Sequence, residues 1–148
     1  MKVRRWKSER GNVMVEFAMV LPIFLLVVWG VVDFARAFYT SNSLATAVRE
    51  GARFAAVREW KSPAATAAQI AASRDSVKMK VKASFIPFGG PAIDTTKVVV
   101  TFSDAQGTVT VEDTAYDWTT STPLNVIPGG TIKMKKKAVF RWERQITN

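Results

Sequence analysis

Two positions at the start of a long apolar run carry most of the chemistry in this chain: Gly11, directly after Arg10, and Glu16, five residues further on. From Val13 to Val32 there are 20 residues, and only Glu16, Pro22 and Gly30 are not plainly apolar. As a helix such a run extends ~30 Å, the thickness of a bilayer's hydrocarbon core. An ionised carboxylate in that layer costs ~2.5–3.5 kcal/mol near the centre and less toward an end, so it calls for a partner or a purpose. Other chemistry is scarce. The 148 residues include no histidine and no cysteine, which removes the commonest general base and metal ligands, any thiol nucleophile and any disulfide. Gly89-Gly90 and Gly129-Gly130 lack the spacing and following helix of a phosphate loop. We therefore expect neither enzymatic activity nor a metal or cofactor.

The net charge of +9 is uneven: Lys2, Arg4, Arg5, Lys7 and Arg10 against Glu9 place +4 in the first ten residues. Basic residues directly before an apolar run mark topology, holding the N-terminus in the cytoplasm and sending the C-terminal part of the chain across the membrane. Nucleic-acid binding is the competing account of that charge, and we expect none. A secretory signal peptide has an apolar core of only ~7–15 residues. Its small-x-small cleavage site could be Ala35-Arg36-Ala37, but Asp33 and Arg36 crowd it with charge. A plain signal anchor accounts for length and flanking charge but leaves Glu16 without a role.

The order Arg10-Gly11, Asn12 to Val15, Glu16-Phe17 resembles the type III signal of type IV prepilins. In that family a membrane peptidase cuts after the glycine on the cytoplasmic face and leaves the apolar segment attached. The resemblance implies a mature chain beginning at Asn12, with Glu16 as its fifth residue. Residues i and i+4 share a helix face, so Glu16 can meet the new ammonium at Asn12, or that of a neighbouring subunit, where a low dielectric strengthens the attraction. Glu16 and Phe17 would then set the register of the subunit in an assembly. The alternative is a Glu16 solvated at the interface beside Arg10.

Farther on come Leu21-Pro22, Asp33-Phe34-Ala35-Arg36, and Arg49-Glu50-Gly51-Ala52-Arg53. Taken together over roughly residues 10–60, these resemble TadE-like pseudopilins, minor components of the tight-adherence (Flp-type) pilus system. The resemblance implies a single-pass inner-membrane protein with an extracytoplasmic domain, processed by the prepilin peptidase. Its partners would be the major Flp-type pilin, other minor pseudopilins, the inner-membrane assembly platform and membrane lipid, and its output surface adherence and biofilm. The major pilin of that system is much shorter, so a chain with an added domain suits a minor role. The alternative function is a permanently anchored extracytoplasmic binding protein with an uncleaved signal anchor.

The elements that must position these residues are set by period and breakers. Pro22 removes the backbone bond to Ala18 and should bend the span. Phe34, Phe38, Ser41, Ala45, Val48, Ala52 and Ala55 follow a four-three-four spacing, one stripe of a helix continuing to about Trp60 and reaching ~70 Å from Val13. Arg49, Glu50 and Arg53 fall off that stripe as a charged face, with Glu50 able to pair with either arginine. Ser62-Pro63 reads as a helix start before the alanine-rich stretch 64–72. Val77, Met79 and Val81 alternate with lysines like a strand, but no breaker precedes them, so the helix is taken to about Ala83.

Pro87, Gly89-Gly90 and Pro91 make 85–96 a loop. Val98, Val100 and Phe102 share a face, and a turn over 103–107 leads to a partner strand bearing Val109 and Val111, with Tyr116 and Trp118 continuing the sheet. A further loop over 119–130 precedes a last strand, Thr131 to Glu143. There Ile132, Met134, Ala138, Phe140 and Trp142 face inward and Lys133, Lys135, Lys137 and Arg141 outward, with Lys136 breaking the alternation. The expectation is a pilin-like α+β chain: basic leader 1–11, transmembrane helix 12–33, amphipathic stalk 34–61 and extracytoplasmic α+β domain 62–148.

Overall fold

The computed structural model describes residues 9–57, 66–103, 106–120 and 131–141. The basic cluster Lys2–Lys7, Trp60, Ser62-Pro63, most of the 119–130 loop and Trp142-Glu143 lie outside the described residues. Helix α1, Glu9–Val57, runs unbroken for 49 residues with Pro22 inside it. Its apolar part is long and apolar enough to cross a membrane, and none of the most apolar window is buried within the chain. Burial begins at Asp33 and then recurs at Thr40, Leu44, Ala47, Val48, Gly51, Ala52 and Ala55, the spacing of one helix face.

That face corrects the stripe expected from the sequence. Phe34 and Phe38 are 73% and 62% exposed, stacked on each other with ring centroids 6.5 Å apart. The core is met instead by the residues one position out of phase, and the two stripes merge only from Val48 onward. Hydropathy weighted the two phenylalanines inward, although Asp33 and Thr40 are the residues the fold encloses. Thr40 is satisfied locally, its hydroxyl donating to the Arg36 carbonyl at 2.8 Å.

Helix α2, Ala67–Ser84, starts on a capping box: Gln69 N–H donates to Thr66 Oγ1 and Thr66 N–H to Gln69 Oε1, satisfying two end groups reciprocally. The segment that alternates like a strand is helical. Val77 and Val81 are buried four apart while Met79 is 59% exposed, so packing against α1 selects the helical period. Phe85 N–H closes the last turn on the Val81 carbonyl, and Pro87 stands just beyond, where the helix cannot continue.

The remaining elements are a three-residue 3-10 turn, Thr95–Lys97, and three strands: β1 Val98–Ser103, β2 Thr108–Thr119 and β3 Thr131–Arg141. The sheet is antiparallel in the order β1-β2-β3. Gly107 has φ +59° in the β1–β2 turn, a left-handed geometry that glycine adopts without cost. Both helices cover one face of the sheet, giving a two-layer α+β domain. Val48, Val77, Val81, Val98, Val109 and Val111 fill the layer between, each worth ~1.5–3 kcal/mol on full burial.

Strand β2 carries one extra residue between Asp113 and Tyr116 relative to β3, a bulge that moves the inward phase from odd to even positions. Asp113, Tyr116 and Trp118 therefore all point into the core side. One detail of β3 differs from expectation: Ile132, near the strand's start, is 38% exposed. Lys136 breaks the apolar alternation as expected, a lysine in the inward phase of Met134, Ala138 and Phe140, and stands opposite Asp113 in the register.

Candidate functional site

The chemistry at the N-terminal end is presented on an open helix. Gly11, Asn12, Glu16 and Phe17 are all exposed along the first turns of α1. Asn12 Nδ2 donates to Glu16 Oε1 at 3.1 Å, so the one carboxylate of the apolar run is met by the side chain four residues earlier. The α-nitrogen of Asn12 lies on the same residue, within a turn of Glu16. The Gly11–Asn12 bond lies in the first turn of α1, where backbone donors have no helical partner and fraying costs least. Pro22 sits exposed in the continuous helix.

A second set of motif residues fixes the domain to the helix where the apolar run ends. Arg36 Nη1 pairs with Asp33 Oδ1 at 3.2 Å, with the two side chains 12% and 10% exposed. The same guanidinium donates from Nη2 to the Gly89 carbonyl at 3.3 Å and the Phe88 carbonyl at 3.5 Å. Two turns further along, Ser43 Oγ donates to the Ile86 carbonyl at 2.9 Å and accepts from Ile86 N–H at 3.0 Å. Gly89 has φ +69°, and a Cβ there would meet Arg36 Nη2 at 3.0 Å. The loop after α2 is thus latched to α1 by its backbone, through the planar fork that only arginine provides.

Gly51 is a packing position. A Cβ on it would lie 2.3 Å from Val81 Cγ2 and 3.8 Å from Val111 Cγ1, so α1, α2 and β2 approach one another across a missing side chain. Arg49 and Arg53 are exposed and Glu50 is half-buried, as a charged flank of the buried face. The expected pairing of Glu50 is not formed: the ion pairs among the described residues are Arg36–Asp33, Lys78–Asp75 and Lys97–Asp117.

Residues the sequence did not single out form a polar cleft beside the bulge. Lys97 Nζ bonds Asp117 Oδ2 at 2.8 Å, an interaction that raises the lysine pKa and lowers that of the aspartate. Two hydrogen bonds from Thr96 lower the pKa of Asp94. Asp113, 1% exposed, accepts from Ala115 N–H at 3.4 Å through Oδ1, while its Oδ2 has no hydrogen-bond partner among the described residues. Burial pushes its carboxyl above the usual value. Tyr116 anchors the cleft's rim by donating to the Pro91 carbonyl at 2.9 Å. Among the described residues no three His, Asp or Glu side chains are arranged to hold a metal ion. The signal that could have exposed Asp113 was its odd-numbered place in the inward phase of Val109 and Val111.

The elements define an α+β domain carried on a helix long and apolar enough to cross a membrane. The family model described as TadE-like protein matches residues 11–53, the interval bounded by Gly11 and Arg53 that contains the motif residues above except Arg10. That segment is TadE-like; residues 54–148 fall outside the match. Comparison with curated proteins finds no match, and comparison with solved structures finds none.

Proposed function

We propose that this chain is a minor pseudopilin of a tight-adherence (Flp-type) pilus system, cut by a prepilin peptidase after Gly11 and incorporated into the pilus or its initiating complex. The observation that carries this reading is the pairing of Glu16 with Asn12 at 3.1 Å, inside a segment matching the TadE-like model from Gly11 onward. Cleavage places an ammonium on the residue that already reaches Glu16, so a lone carboxylate in lipid gains a charged partner. The N-terminus lies in the cytoplasm, the span in the inner membrane and the α+β domain outside the cytoplasm. Its partners are the peptidase, the major pilin, other minor pseudopilins and the assembly platform. The role is one of assembly rather than catalysis, in keeping with the absence of histidine and cysteine.

The test is Glu16→Ala in the native host. The variant should still be processed, because the cut lies five residues away, but pili should be lost or greatly reduced. Normal piliation by that strain removes the role assigned to the carboxylate.

A further inference from the structure

Beyond Val32, every exposed aromatic among the described residues falls on the first turns of α1 past the apolar run or on the loop latched to them: Phe34, Phe38, Tyr39 and Phe88 are 73%, 62%, 45% and 56% exposed. The other exposed large apolar side chains past the span, such as Met79, Val99 and Val139, are aliphatic. Scattered single residues of that kind are ordinary, whereas a concentrated patch marks a contact.

The latch sets the height of this patch. Following the loop from Ile86 to Gly89, its hydrogen bonds move down α1 from Ser43 to Arg36, back toward the apolar run. Phe88 reaches Tyr39 edge-on, with ring centroids 5.6 Å apart. Arg36 lies four residues past Val32, ~6 Å along the helix axis. Each polar interfacial layer of a bilayer is ~5–8 Å deep. With the 20 apolar residues Val13 to Val32 in the hydrocarbon, the Phe88-Gly89 tip held by Arg36 lies at headgroup level with the rings of α1, whereas Ile86, bonded to Ser43, stands ~16 Å past Val32 and beyond that layer.

We infer that the 88–89 tip, with Phe34, Phe38 and Tyr39, seats the extracytoplasmic domain on the lipid surface its own helix crosses. The occupant of the patch is the headgroup and upper acyl region of that bilayer, continuous with the lipid around the span. Aromatic rings are favoured at that depth. The latch holds Phe88 there, and the domain has a second membrane contact that must be released before the subunit is extracted. This inference rests on the membrane-span reading above.

The chain has no cysteine, so single-cysteine variants of the full-length protein can carry a nitroxide in phosphatidylethanolamine–phosphatidylglycerol vesicles. Phe88→Cys reports the tip, and Val27→Cys the span. Ala71→Cys, exposed near the start of α2, reports the far end of the domain, since α2 runs back along α1 from its contact with Gly51. The ratio of collisions with oxygen to collisions with a water-soluble nickel chelate should be several-fold higher at 88 than at 71, and highest at 27. Equal ratios at 88 and 71, with 27 in lipid, overturn the seat and leave the span standing. A label at 88 shielded from both reagents means that a second copy or other protein covers the patch, which also overturns it. A water-accessible label at 27 removes the span, and the seat with it.

Discussion

Gly51→Ala separates two opposed contributions by sign. In an isolated helix, alanine for glycine is worth ~1 kcal/mol of added stability. Here the new methyl would lie 2.3 Å from Val81 Cγ2, against a favourable carbon–carbon separation of ~3.5–4.0 Å. Val81 is fully buried and β-branched in a helix, where one χ1 rotamer dominates, so it cannot swing aside. Val111 closes the other side at 3.8 Å. Relief requires α1 and α2 to move apart, and overpacking of this kind costs ~1–3 kcal/mol. With an overlap of roughly 1 Å or more we take the upper end, which leaves a net loss of ~2 kcal/mol after the propensity gain. For a domain of this size that is roughly a 6–10 °C fall in Tm, read by circular dichroism on the full chain in detergent micelles. Adding Val81→Ala to Gly51→Ala should restore room, so the double variant should be ~1 kcal/mol or more better than additive. A Tm equal to or above wild type for Gly51→Ala would refute the close approach of the two helices.

The latch, the buried carboxylate and the cut site each give a further expected outcome. Arg36→Met leaves Asp33 nearly enclosed without its ion pair, which should cost ~2–4 kcal/mol and speed hydrogen exchange of the amides at 86, 88 and 89 well beyond that at Val109; unchanged exchange there would dismiss the latch. Asp113 has a folded pKa above its ordinary 3.8, so the native state binds its proton more readily than the unfolded chain, and stability is lost as pH rises through the raised value. Asp113→Asn should therefore raise Tm at pH 7 and show little difference from wild type below that ordinary value; a gain as large at low pH would contradict the assignment. The lowered pKa values of Asp94 and Asp117 act in the other direction, contributing stability above the ordinary value that fades in stronger acid. Gly11→Asp should block processing, seen on a gel as a single unshifted band.

The long apolar helix and all three strands were legible in the sequence because each has a long period or clear breakers; the second helix was legible in its reach but not its start, which Ser62-Pro63 was expected to mark and the Thr66 capping box sets instead. The TadE-like segment was legible for a different reason, since four short motifs stand in one order. What the sequence hid was phase. Phe34 and Phe38 look like core by hydropathy, and only the packing of Thr40 and Leu44 shows the helix rotated away from them. Lys136 looked like a fault in β3 because its partner is on another strand: the register before the bulge sets it opposite the buried Asp113. The latch was out of reach for a third reason. Arg36 meets backbone carbonyls of residues 88 and 89, more than fifty positions away, and backbone acceptors have no residue type to recognise.

If proteolysis after Gly11 creates the positive end that Glu16 answers, the protein recovered from membranes of its native host carries the mark of the cut. Intact mass and N-terminal sequencing of that material should find a chain beginning at Asn12, with the basic leader gone. A chain still beginning at Met1 in piliated cells would contradict the pairing and leave the domain permanently tethered.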